Sequence, residues 1–125
     1  MPLLIYDAWY TVEAVRNEPQ RLFIFGDNTA RIGKGGQAII RDEPNALGVA
    51  TKWFPGSNQS DYFADGPAAE IALDTDLAKV ETALCAGKTV YFPRDGIGTG
   101  LSDMPRRAPM LFAYMDKWFK DRLKK

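Results

Sequence analysis

The sequence predicts a layered α/β domain, and three observations carry that expectation. Four short, nearly continuous apolar runs read as buried strands: Leu3 to Tyr6, Leu22 to Phe25, Leu47 to Thr51 and Val90 to Phe92. Stretches with helical spacing lie between them. Two of the runs lead into glycine-rich turns, and layered α/β folds bind ligands at the C-terminal ends of their strands.

Each element has its own local reason. Thr11 to Asn17 predicts a short helix, stopped ahead of Pro19. Leu22 to Phe25 is apolar throughout, as a strand buried on both faces must be. Gly36 to Arg41 reads as a helix opening out of the first glycine turn. Phe54 to Pro67 is polar and glycine-containing, a surface loop of the kind that often carries function. A helix is expected from about Thr75 to Ala86, because Leu73, Leu77, Val80 and Leu84 recur at helical spacing and Gly87 supplies a stop. Cys85 falls in this pattern and is expected in the core. Pro93 ends the pairing of the last strand. A final helix starts near Ala108, with Pro109 tolerated in its first turn. Leu111, Met115, Trp118 and Arg122 form its stripe, with Phe112 and Phe119 beside it. Its basic end, including Lys124 and Lys125, suits a helix C-terminus.

All 125 residues are expected in one domain, long enough to bury a real core. Sixteen basic residues balance sixteen acidic ones, which argues against a broad nucleic-acid groove. The chain has no histidine, so the commonest general base and metal ligand is missing. A lone cysteine excludes an internal disulfide and a thiolate zinc cluster. No apolar run approaches the roughly 20 residues that span a bilayer. A cytoplasmic protein with no membrane partner is the expectation.

The first glycine turn runs from Arg21-Leu-Phe-Ile-Phe-Gly-Asp-Asn28 into Ile32-Gly-Lys-Gly-Gly-Gln-Ala38. The second runs from Thr89-Val-Tyr-Phe-Pro93 into Asp95-Gly-Ile-Gly-Thr-Gly-Leu101. Backbone N–H groups freed of neighbouring side chains make nests that bind anions, most often phosphate. Two nests in one small domain point to a ligand with more than one phosphate. In the first turn, Asp27 could accept from an adenine amine or a ribose hydroxyl, Asn28 suits a sugar, and Arg31 and Arg41 suit phosphate. The same Asp and Asn also suit an ordinary β-turn. Lys34 is followed by two glycines, so no hydroxyl stands ready for Mg²⁺ as in a phosphate-loop hydrolase. In the second turn, alternation sends Ile97 and Thr99 to opposite sides. Lys52, at a strand end beside Trp53 and Phe54, is either a surface lysine whose stem covers an apolar patch or an amine of lowered pKa able to act as a nucleophile. Asp95 and Asp103 flank the second turn, each a candidate acid or base. Trp53, Phe54, Tyr62 and Phe63 are either core or a stacking surface for a base.

These blocks resemble those of macrodomains, the ADP-ribose-binding α/β/α family. They are most similar to the branch of terminal ADP-ribose glycohydrolases and bacterial antitoxins that reverse DNA ADP-ribosylation. Gly26-Asp27-Asn28 and Ile32-Gly33-Lys34-Gly35-Gly36-Gln37-Ala38 resemble that branch's first binding loop. Thr51-Lys52 resembles its Thr-Lys after a middle strand. Pro93 through Gly98-Thr99-Gly100-Leu101 resembles its final loop. The family's acidic residue directly follows that loop, whereas here the position is Ser102 and Asp103 comes one later. The chain also resembles a group of phage and bacterial proteins with Phe-Gly-Asp-Asn and Gly-Lys-Gly-Gly-Gln-Ala blocks.

The resemblance implies a three-layer α/β/α fold on a mixed, mostly parallel sheet, with ADP-ribose or a related nucleotide as ligand. It implies a glycohydrolase that removes ADP-ribose from a protein or nucleic acid, with no metal and no dissociable cofactor. Lys52 would be the nucleophile, and Asp103, or else Asp95, the proton-moving carboxylate. Asp27 would sit near the adenine, with Asn28, Gly33 and Arg41 in the same binding loop. Gly35, Gly36 and Gln37 would face the ribose and diphosphate. Gly96, Ile97, Gly98, Thr99, Gly100 and Leu101 would close the other side. Two other readings keep part of the pattern: a module that binds the nucleotide without cleaving it, and a scaffold that binds none.

Overall fold

A computed structural model describes residues 2–123. Four strands form one sheet: β1 (Leu3–Tyr6), β2 (Leu22–Asn28), β3 (Ala46–Lys52) and β4 (Val90–Pro93). The strand order is β1-β4-β2-β3, and every pairing between these strands is parallel. The sheet is therefore parallel and not the mixed one expected. No hairpin joins consecutive strands; each connection contains a helix or helical turn, so each strand re-enters the sheet in the same direction.

The helices are α1 (Val12–Arg16), α2 (Pro67–Cys85), α3 (Met104–Arg107) and α4 (Pro109–Arg122). Thr11 caps α1 by accepting the Ala14 N–H at 3.0 Å. Helix α2 begins eight residues ahead of the expected Thr75. Pro67 takes its first turn, where a missing N–H costs nothing, and Ala69 extends the buried stripe of Leu73, Leu77, Val80 and Leu84. Cys85 is exposed, contrary to expectation, because Leu84 takes the core position and its neighbour turns about 100° away. The expected helix at Gly36 to Arg41 is a tighter 3-10 turn over Gly36–Ile40. On α4 the buried seam is Leu111, Met115 and Phe119, while Trp118 is only half-buried. Arg122 lies beside that seam, stacked 3.8 Å from the Trp118 ring centroid and paired with Glu81 of α2. Lys124 and Lys125 lie outside the described residues.

Strand alternation divides the apolar side chains into two clusters. Ile24 of β2 joins Leu3, Val49 and Val90 and packs with α2 and α4. Phe23 and Phe25 of the same strand join Val15 and Ile40, against α1 and the 3-10 turn. Tyr6, Tyr10, Phe23 and Tyr91 contact one another with ring centroids 4.9–5.7 Å apart. The Tyr10 hydroxyl donates to the Ile24 carbonyl at 2.8 Å, and burial raises its pKa well above the usual tyrosine value. β2 lies between β4 and β3, with an apolar cluster on each of its faces, and its C-terminal end pairs with β3. Both glycine turns open from this end of the sheet, one after β2 and the other after β4.

Candidate functional site

A cavity of about 640 Å³ lies over the C-terminal strand ends, within the range that small-molecule sites occupy. Asp27, Asn28, Gly33, Gly35 and Gly36 line it from the first turn, together with Gln37 and Arg41. Gly96, Gly98, Thr99, Gly100 and Leu101 line it from the second, and Lys52 lines it from the end of β3. Two expected residues stand apart. The Ile97 side chain is core, 3% exposed, as the alternation of the turn requires. Asp103 is not on the cavity wall; its carboxylate is held by Arg106 and Arg107.

The residues beneath the first turn form an ion-pair network. Arg41 grips the buried Asp27 carboxylate in a two-pronged pair, at 2.6 and 2.9 Å. Arg31 reaches the same carboxylate at 3.2 Å and grips Asp76 at 2.7 and 2.9 Å. Asp76, fully buried on α2, also accepts the Ala50 N–H at 2.7 Å. Two carboxylates thus face two guanidinium groups, with Lys79 at the rim. The Asp27 carboxylate is committed to arginines, so it does not stand free for an adenine amine as expected. Arg31 supports this network from a left-handed backbone position, φ 58°. Gly48 is required here, since a Cβ on it would fall 2.1 Å from Asp27 Oδ2.

That network also orients the turn. Arg41 donates to the carbonyls of Gly33 and Ile32, and Asn28 Nδ2 donates to Ile32 as well. Among the described residues, the N–H groups of Gly33, Lys34, Gly35 and Gly36 have no acceptor. The second turn behaves alike: Gly98 and Gly100 accept through their carbonyls, while the N–H groups from Ile97 to Ser102 have no acceptor among the described residues. Both turns therefore offer unpaired N–H groups beside one cavity. Asn28 Oδ1, buried at the wall, has no partner either.

Gln37 joins the two turns. Its Oε1 accepts the Gly26 N–H at 2.8 Å, and its Nε2 donates to Asp95 Oδ1 and to the Gly96 carbonyl. The side chain is thus a brace more than a free ligand group. Ser102, at the position where the resembled family has its acid, shares a 2.5 Å hydroxyl contact with Thr51, which donates to the Asp27 carbonyl. This ties the end of the second turn to β3.

Lys52 is buried, 7% exposed, and not a surface lysine. Its ammonium donates to the Gly56 carbonyl at 2.7 Å and lies 4.2 Å from the Tyr62 ring centroid. Burial lowers its pKa below the usual lysine value; Arg107 pushes the same way and Asp61 opposes them. Arg107 lies 3.7 Å from the centroid of the same Tyr62 ring and pairs with Asp103. Asp103 therefore reaches Lys52 only through Arg107. Of the aromatics considered as stacking surfaces, Phe63 is core with Trp53 against it, and Tyr62 holds the two cations. The residues that sequence reasoning passed over are Gly48, Asp61, Asp76, Arg107 and Trp9. Gly48, Asp76, Arg107 and Trp9 act on partners far away in the chain, and Asp61 is placed by a local capping box with Asn58.

Among the described residues no cluster of three or more histidine, cysteine or acidic side chains could hold a metal, and no helix is long and apolar enough to cross a membrane. The chain matches no curated protein and no solved structure. A model of a family of unknown function, DUF7831, matches residues 5–118, and the chain belongs to that family.

Proposed function

We propose that this chain is a three-layer, macrodomain-like protein that binds ADP-ribose and releases it from a protein or nucleic acid through Lys52. The observation that carries the reading is the meeting of both glycine turns, with their unpaired N–H groups, on one cavity whose wall also holds a buried lysine of lowered pKa. N–H groups held in place without an acceptor can bind a diphosphate with little reorganisation. A neutral amine, favoured by burial, is the form that attacks carbon. In the proposed reaction the Lys52 nitrogen bonds to the anomeric carbon of the ring-opened ribose. The macromolecular leaving group departs with a proton, and water then cleaves the adduct and frees the amine.

A second reading, binding without cleavage, has its own support. The expected carboxylate Asp103 is off the cavity and committed to two arginines. Asp95 lines the cavity, but one of its oxygens is engaged by Gln37.

One set of measurements separates these readings. Millimolar ADP-ribose should raise the melting temperature of the parent protein; ligand at 100 times its dissociation constant adds about 2.7 kcal/mol. Lys52→Ala should retain that shift and lose release of ADP-ribose from an ADP-ribosylated protein or DNA. Turnover undiminished in Lys52→Ala removes the lysine chemistry. Binding with no release by the parent favours the second reading, and no thermal shift at all ends both.

A further inference from the structure

A second, smaller cavity of about 180 Å³ adjoins the first, lined by Trp9, Tyr10, Gly36, Gln37, Arg94 and Asp95 among others. Gly36, Gln37 and Asp95 border both cavities, which meet at the Gln37 brace. The volume is below the several hundred Å³ of a whole-ligand site and suits one planar ring system. Trp9 is 66% exposed, an unusual place for the largest aromatic unless something covers it. The Arg94 guanidinium lies 5.6 Å from the Trp9 ring centroid and has no carboxylate partner among the described residues. Asp95 is exposed, and among the described residues only Oδ1 of its two carboxylate oxygens is engaged.

We propose that this cavity is a base subsite, in which the purine of a nucleoside diphosphate stacks on Trp9 and gives its exocyclic amine to Asp95 Oδ2. The proposal rests on the nucleotide-binding reading above and departs from the adenine position that the family resemblance implies. Two observations force the departure. Asp27 is occupied by Arg41 and Arg31, and none of the aromatics Trp53, Phe54, Tyr62 or Phe63 lines the larger cavity. The topology supplies a path. Lys52 ends β3 at one edge of the sheet, and Trp9 follows β1 at the other. Three strand spacings of about 4.8 Å separate those edges, about 14 Å in all. The two glycine turns open from the strands between. The sugar then lies towards Lys52, the phosphates over the turns and the base against Trp9. Arg94, over the indole, adds a second plane to the stack.

The test is calorimetric titration of ADP-ribose into the parent, Trp9→Ala and Trp9→Phe. Trp9 is too exposed for the fold to depend on it, and equal melting temperatures of the three ligand-free proteins verify this. Removing a stacking aromatic should weaken binding about tenfold or more in Trp9→Ala, while Trp9→Phe stays within a few-fold of the parent. ADP-ribose binding unchanged in Trp9→Ala, with the parent binding well, overturns the base subsite and leaves the functional reading standing. An equal loss in Trp9→Ala and Trp9→Phe also overturns stacking. A parent that binds no ADP-ribose removes both.

Discussion

Gly48→Ala offers the sharpest test of the charged network under the first turn. Gly48 lies in the interior of β3, without a positive φ, so alanine carries no backbone strain there. What it meets is the Asp27 carboxylate: the added Cβ would lie 2.1 Å from Oδ2, 2.7 Å from Cγ and 2.8 Å from the Asp27 Cβ. None of these atoms is the free end of a flexible chain, because Arg41 and Arg31 hold both oxygens. The carboxylate must leave its partners, and breaking a buried pair of this kind costs about 3–5 kcal/mol. Against a total stability of about 5–15 kcal/mol, that is a large share. At about 4 °C per kcal/mol for a chain of this length, the melting temperature should fall by about 12–20 °C. Denaturant and thermal unfolding of the variant read the effect directly. Asp27→Ala should itself destabilise the parent, yet cost much less when added to Gly48→Ala, since the pair is already broken. A Gly48→Ala protein within about 1 kcal/mol of the parent, or fully additive effects in the pair, would refute the network as the reason for this glycine.

Other expectations concern the cavity wall. Because burial lowers the Lys52 pKa, protonating the lysine costs stability wherever the pH lies below the lowered folded value. That cost disappears as the pH rises from the lowered folded value to about 10.4, the unfolded one. Relative to Lys52→Met, the parent should therefore gain stability over that interval in denaturant midpoints measured at stepped pH. Arg107→Ala should raise the Lys52 pKa and Asp61→Asn should lower it further, moving the pH dependence of amine-directed labelling at Lys52 in opposite directions. Gln37→Ala removes three hydrogen bonds, two of them to the second turn, and should cost about 1–3 kcal/mol. It should also weaken ADP-ribose binding, which calorimetry reads.

The strands were legible because a buried parallel strand is written as a continuous apolar run, and β1, β2, β3 and β4 all contain one. The order in which they pair was not, since parallel neighbours are far apart in the chain. A proline misled: Pro67 reads as the end of a loop, yet begins α2. The glycine turns and Lys52 were visible because glycine runs and a lysine at a strand end are local facts. Their supports were not. Asp76 lies 45 residues from Arg31, and Trp9 lies far from either glycine turn in sequence, so only the folded chain brings them to the site.

The network under the first turn bears on how the proposed site would tell one ligand from another. Arg31 and Arg41 read, in sequence, as phosphate-binding side chains. In the fold each is matched to a carboxylate, and Arg41 also holds the carbonyls of Ile32 and Gly33. A guanidinium so committed contributes little net charge to the cavity, but it fixes which way the turn's peptides face. With two carbonyls drawn onto Arg41, the neighbouring N–H groups are left without acceptors. Attraction for an anion then comes from short-range peptide dipoles and not from a diffuse field. Free cations would draw any anion to the surface, whereas N–H groups in a fixed nest reward only one whose oxygens fit their spacing. A chain with no net charge can in this way select a diphosphate without becoming a general binder of nucleic acid. The arginines' part in the proposed recognition is thus exerted through the backbone, which is why replacing either should disturb the shape of the turn before it alters the charge of the cavity.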